Sequence, residues 1–380
     1  MIFEPGRGQR VPIRVWARAL SPDTVRQLQR IASQPYVVAF VAAMADAHVA
    51  DGVAVGTVFA TERTVVPRAL GGDLGCGMSA LRVGVDAHAL DRRLLEAILQ
   101  ALGRAIPTGH AVHRGRGVDV PDGVFVPPLS TRSLERTREA LARRHLGTLG
   151  SGNHFLELDR DPEGGLWLLV HSGSRGLGAA VAAHHLRIAS AEADVLAGLD
   201  VETERGGAYL RDVAWALDFA RTNRDALSAR ALDVLGDFVA VDVQDRVDIH
   251  HNFVARERWH ERDVFVHRKG AVAVPRGTRA LIPGSMGTAS YLVEGLGNED
   301  AFGSCSHGAG RVMSRKEARR AIRPEALERV MRRVVYPERL SADLVEEAPG
   351  AYRDITEVLE DQEDLVRRRL RLEPVAVLKG

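Results

Sequence analysis

Seven short islands crowded with glycine, histidine and small polar residues set the tightest constraint on what this chain can become. They are GGDLGCGM (71–78), GTLGSGNHFLE (147–157), HSGSRGLG (171–178), DIHHNF (248–253), HRKGA (267–271), IPGSMGTASY (282–291) and SCSHGAGR (304–311). Glycine at this density costs folding entropy unless the backbone must turn tightly or come close to a ligand. One such stretch reads as a loop. Seven of them, spread over most of the chain, read as one site assembled from many loops.

The segments around the islands give the scaffold. Helical period runs over 23–47, 89–103, 131–146, 179–197, 206–231, 315–335 and 352–371, the last with charges at i, i+3 and i+4 as on a solvated helix. β-branched runs at 53–59, 78–84, 166–171, 263–267, 271–275 and 279–282 read as strands. The two kinds interleave without the even spacing of a doubly wound sheet or a barrel. The expectation is an α+β fold, mixed α/β of irregular topology, in a single large domain over residues 1–380. The stretch 104–130, with Gly109, Gly115, Gly117, Pro121, Pro127 and Pro128, reads as a flexible or substrate-facing loop.

Composition excludes several classes. No apolar run approaches the ~20 residues of a membrane span, and MIFEPGRGQRVPIRVW lacks the apolar stretch of a secretory signal. Two cysteines, Cys76 and Cys305, lie too far apart to suggest a disulfide framework. A cytoplasmic enzyme with no membrane partner is the expectation. The net charge of +1 is silent about nucleic acid, because a near-neutral total can hold a local basic patch. The basic residues are almost all arginine; the lysines are Lys269, Lys316 and Lys379.

The islands carry three kinds of chemistry. Asp73 and Cys76 share a glycine-rich turn, and His154, His171 and His251 sit in or beside other islands. A thiolate, a carboxylate and three imidazoles suit Mn²⁺, Zn²⁺ or Fe²⁺ better than Mg²⁺ or Ca²⁺, which prefer oxygen. Five ligands exceed one tetrahedral site, and a dinuclear centre roughly 3.5–4 Å across, bridged by the thiolate, uses them economically. His48, His88, His145, His184 and His260 lack the glycine context and read as structural. HSGSRGLG and SCSHGAGR each place backbone N–H groups and an arginine, Arg175 or Arg311, ahead of a helical segment, an arrangement that binds phosphate. Arg315 follows Arg311 by four residues, hence on the same helical face. His307, between Ser306 and Gly308, can attack a phosphoryl centre as neutral imidazole. Ser174 or Ser285 as nucleophile, or His307 as a further metal ligand, fits the spacing nearly as well.

Taken together the islands resemble one family, the RtcB RNA-splicing ligases, over nearly the whole chain, from ADAHVADGVAVGTVFAT (45–61) through DLGCGM, LGSGNHF, HSGSRG, HHNF, RKGA, IPGSMGT and SCSHGAGR to PVAVLKG (374–380). The resemblance implies an RtcB-like fold and two Mn²⁺ ions bridged by Cys76, with His154 and His171 completing one site and Asp73 and His251 the other. His251 is preferred to His250 because the family's ligand directly precedes the asparagine, here Asn252. His307 matches the histidine that becomes guanylylated. GTP contacts carry over to Asn153, Glu157, Asn252, Ser285, Ser290, Gly308 and Lys379, with His154, Phe155, Leu156, His251, Pro283, Gly284, Met286, His307, Ala309 and Gly310 completing the pocket. Arg175, Arg311 and Arg315 match arginines that hold RNA phosphate. Asn223-Arg224 matches a helical element to which sequence assigns no role.

The implied reaction, as in RNA repair or tRNA splicing, joins an RNA 3′-phosphate or 2′,3′-cyclic phosphate to a 5′-hydroxyl. A metal-activated hydroxide opens the cyclic phosphate, His307 takes GMP from GTP, the RNA 3′-phosphate takes the GMP, and the 5′-hydroxyl displaces it. The partners implied are RNA with 3′-phosphate and 5′-hydroxyl ends, GTP and an archease-type activating protein. The segments 104–130 and 190–210 look compact for the family. Two alternatives remain: a paralogue that guanylylates or caps 3′-phosphate ends without efficient ligation, and a dinuclear metal phosphoesterase that never uses GTP. A non-catalytic RNA-binding protein is disfavoured by 5% aromatics and no basic tract.

Overall fold

The structure is a computed structural model and describes residues 2–3, 8–190, 196–337 and 344–380. Its strands, in chain order, are β1 (Ile2–Phe3), β2 (Ile13–Val15), β3 (Val37–His48), β4 (Val55–Thr61), β5 (Thr64–Val65), β6 (Gly77–Asp86), β7 (Phe155–Arg160), β8 (Gly165–Ser172), β9 (Leu199–Asp200), β10 (Val243–His250), β11 (Asn252–Trp259), β12 (Arg262–Lys269), β13 (Ala271–Ala273), β14 (Arg279–Ile282), β15 (Ser290–Gly295), β16 (Ser304–Ser306) and β17 (Val366–Lys379). The helices are α1 (Pro22–Ala32), α2 (Arg92–Ala105), α3 (Arg132–His145), α4 (Arg175–Ser190), α5 (Glu204–Gly236), α6 (Arg315–Ala321), α7 (Pro324–Val330) and α8 (Ile355–Glu360).

Two sheets dominate. One has the order β1-β2-β3-β4-β12-β11, the other β10-β6-β8-β7-β17-β15-β14. Their facing sides share a core that includes Phe40, Ala42 and Met44 from β3 and Met78, Ala80, Trp167 and Leu169 from β6 and β8. The second sheet's other face packs on α2 and the second half of α5, through Leu166, Leu168, Ile98, Leu102, Leu227 and Leu235. The first sheet's other face takes α1, through Val41, Ala43, Phe59, Leu28 and Ile31. Strand β8 shows why its sequence reads as a plain apolar run, LWLLV: alternate residues face two different apolar layers, so period-2 polarity vanishes. The mixed α+β architecture of irregular topology is as expected.

Two helical expectations fail. The segment 23–47 is helical only to Ala32; Val37–His48 is β3. Its sequence, VVAFVAAMADAH, is buried on both faces and offers no alternation, while Ala39 at φ 62° marks a bulge against β4. The segment 352–371 holds only α8; from Val366 onward it is β17, whose arginines line a solvent-facing strand and pair with Glu294 and Glu373. The segment 315–335 breaks into α6 and α7 because Pro324 starts a new helix. The stretch 104–130 is anchored, since Val120, Val124 and Leu129 join the core under α3, α4 and the first half of α5. Residues 191–195 of the predicted helix 179–197 lie outside the described residues, and its described part starts earlier, at Arg175.

The topology places the site. Strand β17 pairs with β15 through its first half and with β7 through its second, setting Lys379 opposite Phe155. The ends of β3, β8 and β17 and the starts of β6, β7 and β11 thus open on one region, where the islands meet. Leu168, which faces α2 and α5 from the sheet centre, is 0% exposed, so Leu168→Ala is expected to cost about 2–5 kcal/mol in urea unfolding.

Candidate active site

The DLGCG turn comes first. Gly75 adopts φ 71°, and a Cβ there would lie 2.9 Å from Ala220 and 3.0 Å from Leu217, so only glycine lets the turn press against α5. Halfway along α5, Asn223 and Arg224 are 0% exposed. Arg224 Nε and Nη2 donate to Asp248 at 2.8 and 2.7 Å, and Nη1 donates to the carbonyls of Gly75 and Ser172 at 3.1 and 3.3 Å. Asn223 Nδ2 donates to the carbonyls of Thr148 and Gly173, and its Oδ1 accepts from the Gly147 N–H at 2.8 Å. The pair whose role sequence left open is a clamp: it ties together the islands that carry Asp73, Cys76, His154 and His171.

Those islands deliver the metal-type ligands. Ligand atoms of Cys76, His171 and His251 lie within 4.8 Å of one another, as do those of Asp73, Cys76 and His154. Cys76 belongs to both groups, as a bridging ligand must. The two groups pair the remaining ligands differently from the split the resemblance implies, because Cys76 Sγ sits 3.4 Å from His154 Nε2 and 3.3 Å from His171 Nε2, central to all. Each of these histidines is fixed by a backbone carbonyl: His154 Nδ1 donates to Leu149 O and His171 Nδ1 to Asn153 O, both at 3.1 Å. That leaves each Nε2 lone pair turned to the cluster. Burial pushes the His171 and His251 imidazoles well below their ordinary values, so both are neutral, and His251 Nδ1 is buried without a hydrogen-bond partner. Burial, with Asp73 adding to it, pushes the Cys76 thiol well up. A divalent cation reverses that preference by stabilising the thiolate. The donor set therefore fits a cation of the soft-to-borderline kind. His250 turns away, its Nδ1 donating to Gly75 O at 3.0 Å.

His307 stands beside this cluster, its ring centroid 4.8 Å from that of His251. Its Nδ1 donates to Asp46 Oδ2 at 2.6 Å, and its backbone N–H reaches the same oxygen at 3.1 Å. Asp46 is 0% exposed. The carboxylate holds the proton on Nδ1 and leaves Nε2 as a free lone pair, the form a nucleophile requires. Gly310, at φ 71°, lets the following turn pass over Asp46, whose carbonyl would lie 2.5 Å from a Cβ there. Asp46 falls within the segment read as helix, and no island signal marks it. Ser174, the alternative nucleophile, is buried and donates to Leu74 O.

Asp73, Cys76, His171 and His251 of the cluster line one cavity of about 310 Å³ together with His307, while His154, expected in the same pocket, stands behind Cys76 and does not line it. The expected residues Asn153, Phe155, Glu157, Asn252, Pro283, Gly284, Ser285, Met286, Ser290, Gly308, Ala309, Gly310 and Lys379 line it as well. Leu156 does not, because alternation along β7 turns its side chain into the core on the helix side. Asn252 lines the wall, but its amide is bonded to Asp73 O and the Gly270 N–H. Arg311 and Arg315 reach the cavity, and their convergence owes nothing to a shared helical face, since α6 begins only at Arg315. Both pair with Glu347, at 3.4 and 3.3 Å; Lys379 Nζ lies 3.4 Å from that carboxylate and the Tyr352 hydroxyl donates to it at 2.6 Å. Arg175 is not part of the wall: at φ 57° its guanidinium packs on Gly150 behind the cluster. Glu347, Tyr352 and His48, which also line the cavity, were missed. His48 Nδ1 bonds Asp46 O, and burial lowers its pKa to about 4.

Beneath the cavity floor, Asp159 follows Glu157 by two on β7 and is 0% exposed, with both oxygens lacking a hydrogen-bond partner at normal distance. Burial raises Asp159 well above the carboxylate range, with the Glu157 charge adding to it; burial raises Glu157 to about 7, against the pull of Asp159 and Lys379. Raised carboxyls stabilise the fold at low pH and cost stability as pH climbs through 7. Asp159→Asn is therefore expected to stabilise the chain at pH 8 by on the order of 1–3 kcal/mol, the gain vanishing below about pH 5 in unfolding titrations. Arg224→Ala is expected to cost about 2–4 kcal/mol in urea unfolding, because it removes the bidentate partner of Asp248 and leaves the Gly75 and Ser172 carbonyls without that donor.

A chain folded around such a cluster has known relatives. The family model described as tRNA-splicing ligase RtcB matches residues 27–380. The chain is similar to the RNA-splicing ligase RtcB of Escherichia coli K12, 35% identical over 412 residues and the whole of both chains. It is 33% identical to the Mycobacterium tuberculosis RNA-splicing ligase RtcB over 93% of this chain and all of that one. With the tRNA-splicing ligase RtcB of Pyrobaculum aerophilum it shares 29% identity over 98% of this chain and 95% of the relative. The family match takes in every island, and the chain belongs to the RtcB family.

Proposed function

We propose that this enzyme joins an RNA 3′-phosphate or 2′,3′-cyclic phosphate end to a 5′-hydroxyl end, using GTP and two Mn²⁺ ions and passing through a guanylylated His307. The observation that carries the reading is the single cavity in which His307, held by Asp46 with Nε2 free, adjoins the Asp73–Cys76–His154–His171–His251 cluster. Asp73, Cys76, His154, His171 and His251 would hold the ions, which supply charge neutralisation on the phosphates when bound.

In the first step, His307 Nε2 attacks the α-phosphorus of GTP; the N–P bond forms as the P–O bond to pyrophosphate breaks. The ring becomes cationic, and Asp46, bonded to Nδ1–H, stabilises that charge. An oxygen of the RNA 3′-phosphate then displaces His307, and the 5′-hydroxyl of the second end displaces GMP. Phe155 offers an apolar face, Glu157 an acceptor and Lys379 a donor to the base, while Arg311 and Arg315 meet phosphate oxygens. Positioning and charge dominate each displacement. An end-capping paralogue would share every step but the last.

The intact mass after incubation with GTP and Mn²⁺ tests this. A GMP-sized, acid-labile gain is expected in the unaltered chain and none in His307→Ala. Asp46→Asn is expected to slow the gain by about 10²–10⁴-fold while keeping bound metal. Cys76→Ala is expected to lose both metal and gain. No gain with any divalent metal would remove the proposal, and a gain without joining of 3′-phosphate and 5′-hydroxyl oligonucleotides would select the capping reading.

A further inference from the structure

We infer that the outward face of α6, α7 and the turn Met331–Arg333 is the track along which the RNA backbone leaves the cavity, and that it grips phosphates without reading bases. The inference rests on the RNA substrate proposed above.

Residues 315–333 hold eight basic side chains against three acidic ones, in a chain where 51 basic residues balance 50 acidic. The block has one apolar side. Ala318, Leu327 and Met331 are at most 1% exposed, and Leu327 and Met331 pack on Met286 of the cavity wall and on Val377 of β17. A Cβ on Gly287, in that same wall, would lie 2.7 Å from Met331 Sδ. The block is thus seated on the pocket. Arg315, at its near end, lines the cavity, with its guanidinium 3.3 Å from the Cβ position of Gly152.

The other side is charge. Arg320, Arg323, Arg329, Arg332 and Arg333 are exposed, and among the described residues no carboxylate pairs with any of them. Exposed arginines elsewhere are mixed: Arg18, Arg63, Arg256, Arg279 and Arg369 each pair with an acid, while Arg104, Arg136 and Arg230 stand singly among the described residues, so what sets this block apart is its density of unpaired guanidinium groups beside the cavity. Of the block's own acids, Glu317 is tied into the capping box with Ser314. Unpaired guanidinium groups on a rigid face, continuous with a cavity that takes a phosphate end, match a phosphodiester chain in charge and in bidentate geometry. The block contains no Phe, Tyr or Trp, so it offers no stacking platform for bases. Its contribution is therefore sequence-neutral and set by salt.

The test uses the full chain, without GTP, and fluorescent single-stranded 20-nucleotide RNAs of two unrelated sequences ending in 3′-phosphate. Binding is measured across a salt series for the unaltered chain, for Arg320→Gln/Arg323→Gln/Arg329→Gln, and for the same positions changed to Lys. The Gln triple is expected to flatten the slope of log affinity against log salt by about 2, equally for both sequences, since each lost single-strand phosphate contact removes about 0.7. The Lys triple is expected to keep most of the slope. Arg256→Gln/Arg258→Gln/Arg262→Gln, on the edge of the other sheet, is expected to change nothing. An unchanged slope in the Gln triple, a loss in the Gln triple for one sequence alone, or an equal effect of the distant triple would overturn the track. The GMP mass gain is read in parallel on the unaltered chain. Its absence would remove the ligase reading, whereas its presence with an unchanged slope would remove the track alone.

Discussion

The guanidinium of Arg224 is the interaction on which the site depends. It is wholly removed from water, and a buried cation is tolerated only where every donor is answered. Here the answers come from Asp248 on β10, from the Gly75 carbonyl in the metal-ligand turn and from the Ser172 carbonyl at the end of β8. Asn223, one residue earlier, does the same for the turn at Gly147 and for Gly173. The cysteine and histidine ligands are mounted on loops, and loops hold position poorly by themselves. The long helix α5 supplies the rigidity, reaching the loops through two polar side chains at its midpoint while its ends are fixed in separate apolar cores.

At the other end of the cavity the same problem is solved by a carboxylate. Glu347 gathers Arg311, Arg315, Lys379 and the Tyr352 hydroxyl; burial works against its charge, but Lys379 and its other partners hold its pKa below the ordinary value. Three cations are thereby parked at the mouth of the cavity without repelling one another apart. On the reading proposed above, a phosphate meets Arg311 and Arg315 already converged, so part of the ordering cost of binding is met by the fold. The cluster, His307 with Asp46, and the cation group form three separately buttressed parts of one pocket.

The site was more legible in the sequence than the fold that builds it. Cys76, His171, His251 and His307 were readable because glycine must surround side chains that meet a ligand closely, and that leaves a compositional mark. Asp46 and Glu347 left none. Asp46 lies in VVAFVAAMADAH, a strand buried on both faces that carries no alternation and was read as helix. Glu347 closes the short 3-10 turn Val345–Glu347, more than 30 residues after the arginines it holds, and nothing local distinguishes it from a solvated glutamate. Strand β17 misled for the opposite reason: its exposed arginines mimic the charge spacing of a helix, while its pairing with β7 and β15 is set by partners many residues away. Local pattern reports what a residue does to its own backbone, and these residues act at long range.

Strand β17 enters the second sheet between β7 and β15, two strands that precede it by many residues, and it carries Lys379 to the pocket. During synthesis, β6, β7 and β8 leave the ribosome long before the strand that completes their sheet. The nascent chain therefore emerges with an open sheet edge and scattered ligands, and the contacts that close the pocket have high sequence separation. Such contacts form late and slowly. The pocket is in consequence a product of late tertiary closure: its wall is complete only once β17 has paired with β7 and β15 and brought Lys379 opposite Phe155.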